Sequence, residues 1–275
     1  MRTTIDPKLA AVECWTADPC GSVEGRPGTR DYAERLVAAR AEYAPWMAPE
    51  LDYDGSKGLA VLDIGSGQGI DLVGYARAGA TATGLDLTPR HVELSRAHLG
   101  VLGFEGTVVE GDAEHMPFAD ESFDRVSSNG VLHHTPDIGA ALREARRVLR
   151  PDGTARVILY NRRSFHYWLN QVAWRGIREG GLRREGSIGA VLSRGVEYSS
   201  VDARPLVRVY TPREARKLMV NAGFADVSTR VRHFRWVDIP YGSVAERSAS
   251  LRASRVLDAL GRAGGWYVLV QGRRP

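Results

Sequence analysis

Glycines 65, 67 and 69, in Val61-Leu-Asp-Ile-Gly-Ser-Gly-Gln-Gly69, stand between an apolar run and a helical stretch. Such a turn lets backbone approach a ligand closely, and the helix N-terminus beyond it favours negative charge. The spacing is Gly-x-Gly-x-Gly, which departs from the Gly-x-Gly-x-x-Gly of dinucleotide sites. Asp63 lies two residues ahead, where a carboxylate repels phosphate and suits a cationic ligand. A second carboxylate, Asp86 in Gly84-Leu-Asp-Leu87, is expected at the end of the following strand, placed to accept from ribose hydroxyls. Its competing use, capping the helix that opens at Pro89, falls to Thr88. His133 and His134 follow a fourth expected strand, and imidazole titrates near neutrality, so either could take a proton or simply pack around the loop. Tyr160 and His166, around the end of a fifth strand, are rival groups facing a substrate. His91, His98 and His115 are expected on solvated helix or loop surfaces. The adjacent His133 and His134 make no ligand set with nearby carboxylates, so no metal is expected.

The elements that must position these groups follow from periodicity and breakers. Short apolar runs predict strands at 59–64, 81–87, 106–110, 123–128 and 153–160, separated by helices at 70–78, 88–102 and 138–149. Alternation of strand and helix implies parallel strands with crossover helices, a doubly wound α/β sheet. The rhythm breaks over 162–210, which carries Tyr167, Trp168, Trp174 and many arginines. It resumes with a helix at 211–222 and strands at 224–234 and 265–271. The intervening 235–264, with a helix expected at 244–260, reads as a second insertion. Both insertions are expected to cover the carboxyl ends of the strands.

At 275 residues, with 43% hydrophobic and 25% charged, one elaborated domain can bury its own core. No apolar run reaches the length of a membrane span, and the N-terminus lacks the pattern of a signal peptide, so a cytoplasmic protein without membrane insertion is expected. Cys14 and Cys20 exclude a disulfide framework and a four-cysteine zinc site. The net charge of +4 is spread along the chain without a basic tract, which speaks against nucleic acid. Of the 37 Lys and Arg, only Lys8, Lys57 and Lys217 are lysines. Arg162, Arg163, Arg175, Arg178, Arg183 and Arg184 gather in the first insertion, either as a solvated face or for an anionic small-molecule acceptor.

Taken together, five segments resemble the class I S-adenosylmethionine-dependent methyltransferases, closest to the group acting on quinones, sterols and natural products. They are Leu62-Asp-Ile-Gly-Ser-Gly-Gln-Gly69, Gly84-Leu-Asp86, Glu110-Gly-Asp-Ala-Glu-His-Met-Pro-Phe-Ala-Asp-Glu-Ser-Phe-Asp124, Asn129-Gly-Val-Leu-His-His-Thr-Pro136 and Arg147-Val-Leu-Arg-Pro-Asp-Gly153. The likeness covers about 59–161 and departs from the family mildly, with Ser66 where Cys or Ala is frequent and Asp152 where Gly is usual. It implies a Rossmann-like seven-stranded, mostly parallel sheet and S-adenosylmethionine as cofactor. Gly65, Ser66 and Gly67 would line its methionine and ribose portion, and Asp63 would favour its ammonium, directly or through water. Asp86 would hold the ribose hydroxyls and Leu87 would pack on adenine. Asp112 and the Ala113 amide would meet the adenine edge, and Asn129 the methionine end.

The expected layout is an N-terminal helical lid over 1–58, a cofactor-binding core over 59–161, a cap insertion over 162–210, and the rest of the core over 211–275. The lid carries Trp15, Tyr32 and Trp46. Methyl transfer to O, N or C of a small molecule, of a kind met in secondary metabolism, is the activity implied, by a monomer or homodimer. Two other classes stay open: a cyclase-like enzyme that keeps the cofactor without transferring its methyl, and a nicotinamide-dependent oxidoreductase, whose glycine spacing differs. A nucleic-acid methyltransferase would carry Asn-Pro-Pro-Tyr or Cys after the fourth strand, where this chain has Asn129-Gly-Val-Leu.

Overall fold

The computed structural model describes residues 6–197, 199–240 and 255–275. Seven strands form one sheet in the order β3-β2-β1-β4-β5-β7-β6: β1 (Ala60–Ile64), β2 (Thr81–Asp86), β3 (Thr107–Glu110), β4 (Phe123–Asn129), β5 (Leu149–Tyr160), β6 (Ala225–Arg232) and β7 (Tyr267–Arg273). All neighbours are parallel except β7, which runs antiparallel to both β5 and β6. This is the doubly wound sheet that the alternation implies.

The strands are built to be buried on both faces. Leu62 and Ile64 of β1 join one apolar cluster with Leu85, Val126, Val157 and Leu159, while Val61 joins a second with Ala82 and Ile158. Alternate residues of a strand point to opposite faces, so each run feeds two helical layers. On one face pack α6 (Ile138–Val148) and α9 (Pro212–Asn221), through Leu142, Ala145, Ala215 and Met219. On the other pack α4 (Ile70–Arg77) and α5 (Pro89–Leu102), through Leu72, Val73, Val92 and Leu99.

Helix ends follow their local chemistry. Pro89 opens α5 and Gly103 closes it in the left-handed region. Thr211 and Glu214 form a reciprocal capping box at α9. The expected boundary between the sixth helix and fifth strand moves. Leu149 already pairs with Phe123, and the ladder shifts register before resuming at Thr154 opposite Arg125. Residues 150–153 are absorbed by that shift, with Asp152 at φ 63°.

The N-terminal segment supplies α1 (Pro7–Ala17), α2 (Arg30–Tyr43) and α3 (Met47–Leu51). Within 162–210, where sequence showed no strand rhythm, lie a π-bonded helix over His166–Arg178, then α7 (Gly181–Glu185) and α8 (Ile188–Gly195). The chain then returns to the sheet, as Arg208 donates its amide to the His133 carbonyl and Tyr210 to that of Tyr160. The helix expected at 244–260 falls largely outside the described residues; within them α10 spans Arg255–Gly264. No described helix is long and apolar enough to cross a membrane.

The packing of α6 makes a direct test of the core. Leu142 is 1% exposed within the first cluster, so Leu142→Ala should cost about 2–5 kcal/mol. Urea unfolding checks it: the midpoint should fall with an unchanged slope.

Candidate active site

A cavity of about 500 Å³ opens outside the carboxyl ends of β1, β2, β4 and β5. Strand order reverses between β1 and β4, and ligands of open α/β sheets gather at such a switch point. Gly65, Ser66, Gly67, Asp86, Leu87, Asp112, Ala113 and Asn129 all line it. At Gly65 the backbone has φ 71°, and an added Cβ would lie 2.3 Å from a Val131 methyl, so a side chain is barred there. Asp86 is fixed from two sides: Oδ2 accepts from the Gly67 amide at 2.8 Å and Oδ1 from the Thr88 amide at 2.9 Å. The Ser66 hydroxyl is buried without a hydrogen-bond partner among the described residues, a vacancy that a polar ligand atom would fill.

Asp63 is a correction. It is buried and absent from the cavity wall, and its Oδ1 accepts from the Ser127 hydroxyl at 2.8 Å. Burial first, and the Asp71 carboxylate second, push its acid well above the ordinary carboxylate range. The carboxylate that does reach the wall is Asp71, in the first turn of α4. It accepts from Tyr53 Oη at 2.6 Å and from Asn129 Nδ2 at 2.8 Å, and lies 3.5 Å from Arg40. Arg40 also faces the cavity, which makes Arg40 and Asp71 a cation–anion pair matched to an amino-acid zwitterion. Leu36, Ala39, Arg40 and Tyr43 line the wall together, spaced as one face of α2. A cation on that otherwise apolar stripe was the readable signal, and motif reasoning passed over it.

The roof comes from the N-terminal segment, with Trp15, Ser22 and Val23 on the cavity. Lys8 of α1 reaches both Asp112 and Glu114 at 2.6 Å. Glu114 also accepts from the Asp137 amide at 2.7 Å and from the Thr135 hydroxyl. The lysine and these hydrogen bonds hold Glu114 below its usual range against the opposing effect of burial.

His134, Tyr160 and Glu197 form the far wall. His134 Nδ1 is 2.6 Å from the Leu206 carbonyl, so that nitrogen donates, and Nε2 lies 3.6 Å from Glu197 Oε1. Tyr160 donates its hydroxyl to the same oxygen at 2.8 Å. Trp15 meets His134 edge-on at 5.0 Å. Burial lowers the His134 pKa, with Glu197 and the Leu206 carbonyl opposing. Burial and Glu197 lift the Tyr160 phenol well above its usual value, which leaves it a donor and not a base.

Of the other histidines, His133 sits behind this wall and does not line the cavity. It is fully buried, with its ring 3.8 Å from that of Tyr160. His166 is also off the cavity, 3.2 Å from Asp238 and 2.9 Å from the Gln171 amide nitrogen. His91 and His98 are buried, contrary to the expected solvated positions. His91 lies against Asp86 at 3.3 Å, and His98 joins the Gln68 carbonyl at 2.8 Å to the Gly28 amide at 3.1 Å. His115 is exposed, as expected.

The cap contributes differently from expectation. None of Arg162, Arg163, Arg175, Arg178, Arg183 and Arg184 lines the cavity, nor do Tyr167, Trp168 and Trp174. Arg162 pairs with Glu214 at 2.5 Å and Arg175 donates to the Gly195 carbonyl at 2.7 Å, which are uses internal to the fold. The residue that the cap delivers is Glu197, which no motif marks. It also corrects the view that the histidine pair has no carboxylate at hand: the partner is distant in sequence.

Residues 62–157 match a family model described as a methyltransferase domain. A ubiquinone biosynthesis O-methyltransferase of Azorhizobium caulinodans is 36% identical over 106 residues, 38% of this chain and 42% of the relative. The chain spans about half the length, or less, of the curated relatives it matches first. Among solved structures, a SAM-dependent methyltransferase of Thermotoga maritima superposes with a TM-score of 0.55 at 20% identity, covering 90% of this chain and 98% of that one. A [4+2]-cyclase, SpnF, superposes with a TM-score of 0.53 at 18% identity, covering 98% of this chain and 92% of that one. Residues 62–157 thus match a methyltransferase domain, and the chain shares its fold with S-adenosylmethionine-dependent methyltransferases.

Proposed function

We propose that this chain transfers a methyl group from S-adenosylmethionine to a small, largely apolar acceptor. The observation that carries the reading is the grouping on one cavity wall of an unpartnered Ser66 hydroxyl, the fixed Asp86 carboxylate and the Arg40–Asp71 pair. These suit the hydroxyls, the sulfonium side and the amino-acid tail of one ligand. The cofactor supplies a sulfonium methyl already activated for displacement. The protein's share is to align a nucleophile with it and keep water out.

On this reading Asp86 receives the ribose hydroxyls, Ser66 and Gly67 meet the ligand backbone, and Arg40 takes the carboxylate. Leu87 and Ala113 flank the adenine. The acceptor occupies the remaining space between Trp15, Tyr43, Met47, Tyr160 and Tyr267, a wall of rings and thioether suited to a flat apolar molecule. Its reacting atom is held against His134 and Glu197. The matching relative named for ubiquinone biosynthesis and the natural-product members of the group keep a ring-bearing acceptor foremost.

Two measurements test this. Asp86→Ala removes a charged acceptor of two ligand hydrogen bonds, each worth roughly 1.5–3 kcal/mol. S-adenosylhomocysteine affinity by calorimetry should fall at least tenfold with the thermal transition still cooperative; unchanged affinity removes Asp86 from the ribose. For His134→Ala, turnover should drop on the order of a hundredfold while cofactor affinity holds.

The acid side of the wild-type profile has a fixed sign. Burial lowers the His134 pKa below that of the unfolded chain, so its neutral form is favoured by folding, and it must stay neutral to offer a lone pair. Rate and stability should both be flat above pH about 6.5 and fall as pH drops through the lowered value. A rate that climbs steadily between neutral and alkaline pH would place the controlling group elsewhere.

A further inference from the structure

The far wall and the histidine behind it bring together three metal-ligating side chains, two of them imidazoles with unpartnered nitrogens. His133, His134 and Glu197 each bring one atom to a cluster in which all these atoms lie within 4.8 Å of one another. The Leu206 carbonyl takes the Nδ1 hydrogen of His134, which fixes the tautomer and leaves a lone pair on Nε2. That lone pair faces Glu197 Oε1 at 3.6 Å. Two acceptors confront one another, and the gap between them calls for a positive centre. His133 adds a second incompleteness: it is 0% exposed, and neither ring nitrogen has a partner among the described residues. Buried imidazole nitrogens without a partner are uncommon in folded proteins.

We propose that His133, His134 and Glu197 bind one divalent transition-metal ion of the zinc class at the inner end of the cavity. Two neutral imidazoles and a carboxylate are a donor set that Zn²⁺ accepts, with a fourth position left open. The surroundings have the form of an outer shell: a backbone carbonyl orients the far nitrogen of His134, and the Tyr160 hydroxyl donates to Glu197. His134 and Glu197 both line the cavity, so the open position faces it. Where the acceptor lies rests on the function proposed above; the ion site itself does not. The other cluster of this kind, Asp112, Glu114 and His115, already holds the Lys8 ammonium between its carboxylates and carries no such site.

The test uses the full chain without a polyhistidine tag, dialysed against Zn²⁺ and, separately, Co²⁺. One equivalent of Zn²⁺ should be retained, Co²⁺ should give visible ligand-field absorption of a low-coordinate site, and added Zn²⁺ should raise the thermal midpoint. Glu197→Gln, on the cavity wall, should weaken Zn²⁺ at least tenfold, and His133→Gln should do the same if it folds. His115→Ala should leave uptake unchanged. No uptake of either ion by the wild-type chain, or equal uptake by Glu197→Gln, overturns the site. S-adenosylhomocysteine titrated into the same samples separates the two readings. Cofactor binding without metal uptake removes the ion alone, and metal uptake without cofactor binding removes the methyl-transfer reading alone.

Discussion

The site depends first on one carboxylate held from both sides. Asp86 ends β2 and accepts simultaneously from the turn after β1 and from Thr88, two residues beyond its own strand. That adds a side-chain tie to the backbone bonds from Gly65 and Ser66 to the Leu85 carbonyl, which already join the two parallel strands at their carboxyl ends. With the Gly65–Gly69 turn pinned, its amides and the Ser66 hydroxyl take up a fixed direction before any ligand arrives. Preorganisation of this kind is what makes a buried charge useful in binding, since little need reorganise on contact. His91, buried against the same carboxylate at 3.3 Å, lines the cavity beside it.

The sheet and the cofactor side were legible because their determinants are local. A Gly-x-Gly-x-Gly turn, an acidic residue at a strand end, and regular alternation of strand and helix each lie within a short window. The parts that escaped are set by distant contacts. Glu197 reaches His134 only because the cap folds back across the sheet, and nothing in its own neighbourhood distinguishes it from any solvated glutamate. Asp63 misled for a related reason: β1 turns it inward to Ser127, and strand parity alone did not reveal that its face is closed. His91 and His98 were read as solvated because polar side chains on helices usually are. Here the N-terminal segment and the Gly65–Gly69 turn cover them.

The two coverings of the cavity share the work unevenly. The N-terminal helices supply Trp15, Leu36, Arg40, Tyr43 and Met47 to the cavity wall. The cap, rich in arginine and tryptophan, spends most of those side chains on its own helices and on the sheet. Its contribution to the cavity is a single carboxylate. Length and aromatic content therefore mark the cap as a packed cover, while α2 and the ends of β5 and β7 contribute Leu36, Ala39, Arg40, Tyr43, Tyr160 and Tyr267 to the cavity wall.

Lys8 gives the roof a further property. Its ammonium rests on Asp112, a carboxylate that lines the cavity, and on Glu114, which holds the loop after β4. One aspartate thus serves both the latch of α1 and the edge of the ligand space. Whatever a ligand does to the charge or position of Asp112 is felt at Lys8 of α1, and by reciprocity the seating of α1 is felt as ligand affinity. The seating of α1 and binding in the cavity are thereby linked, and since Lys8 and Asp112 are partly exposed, at 26% and 29%, salt weakens that link.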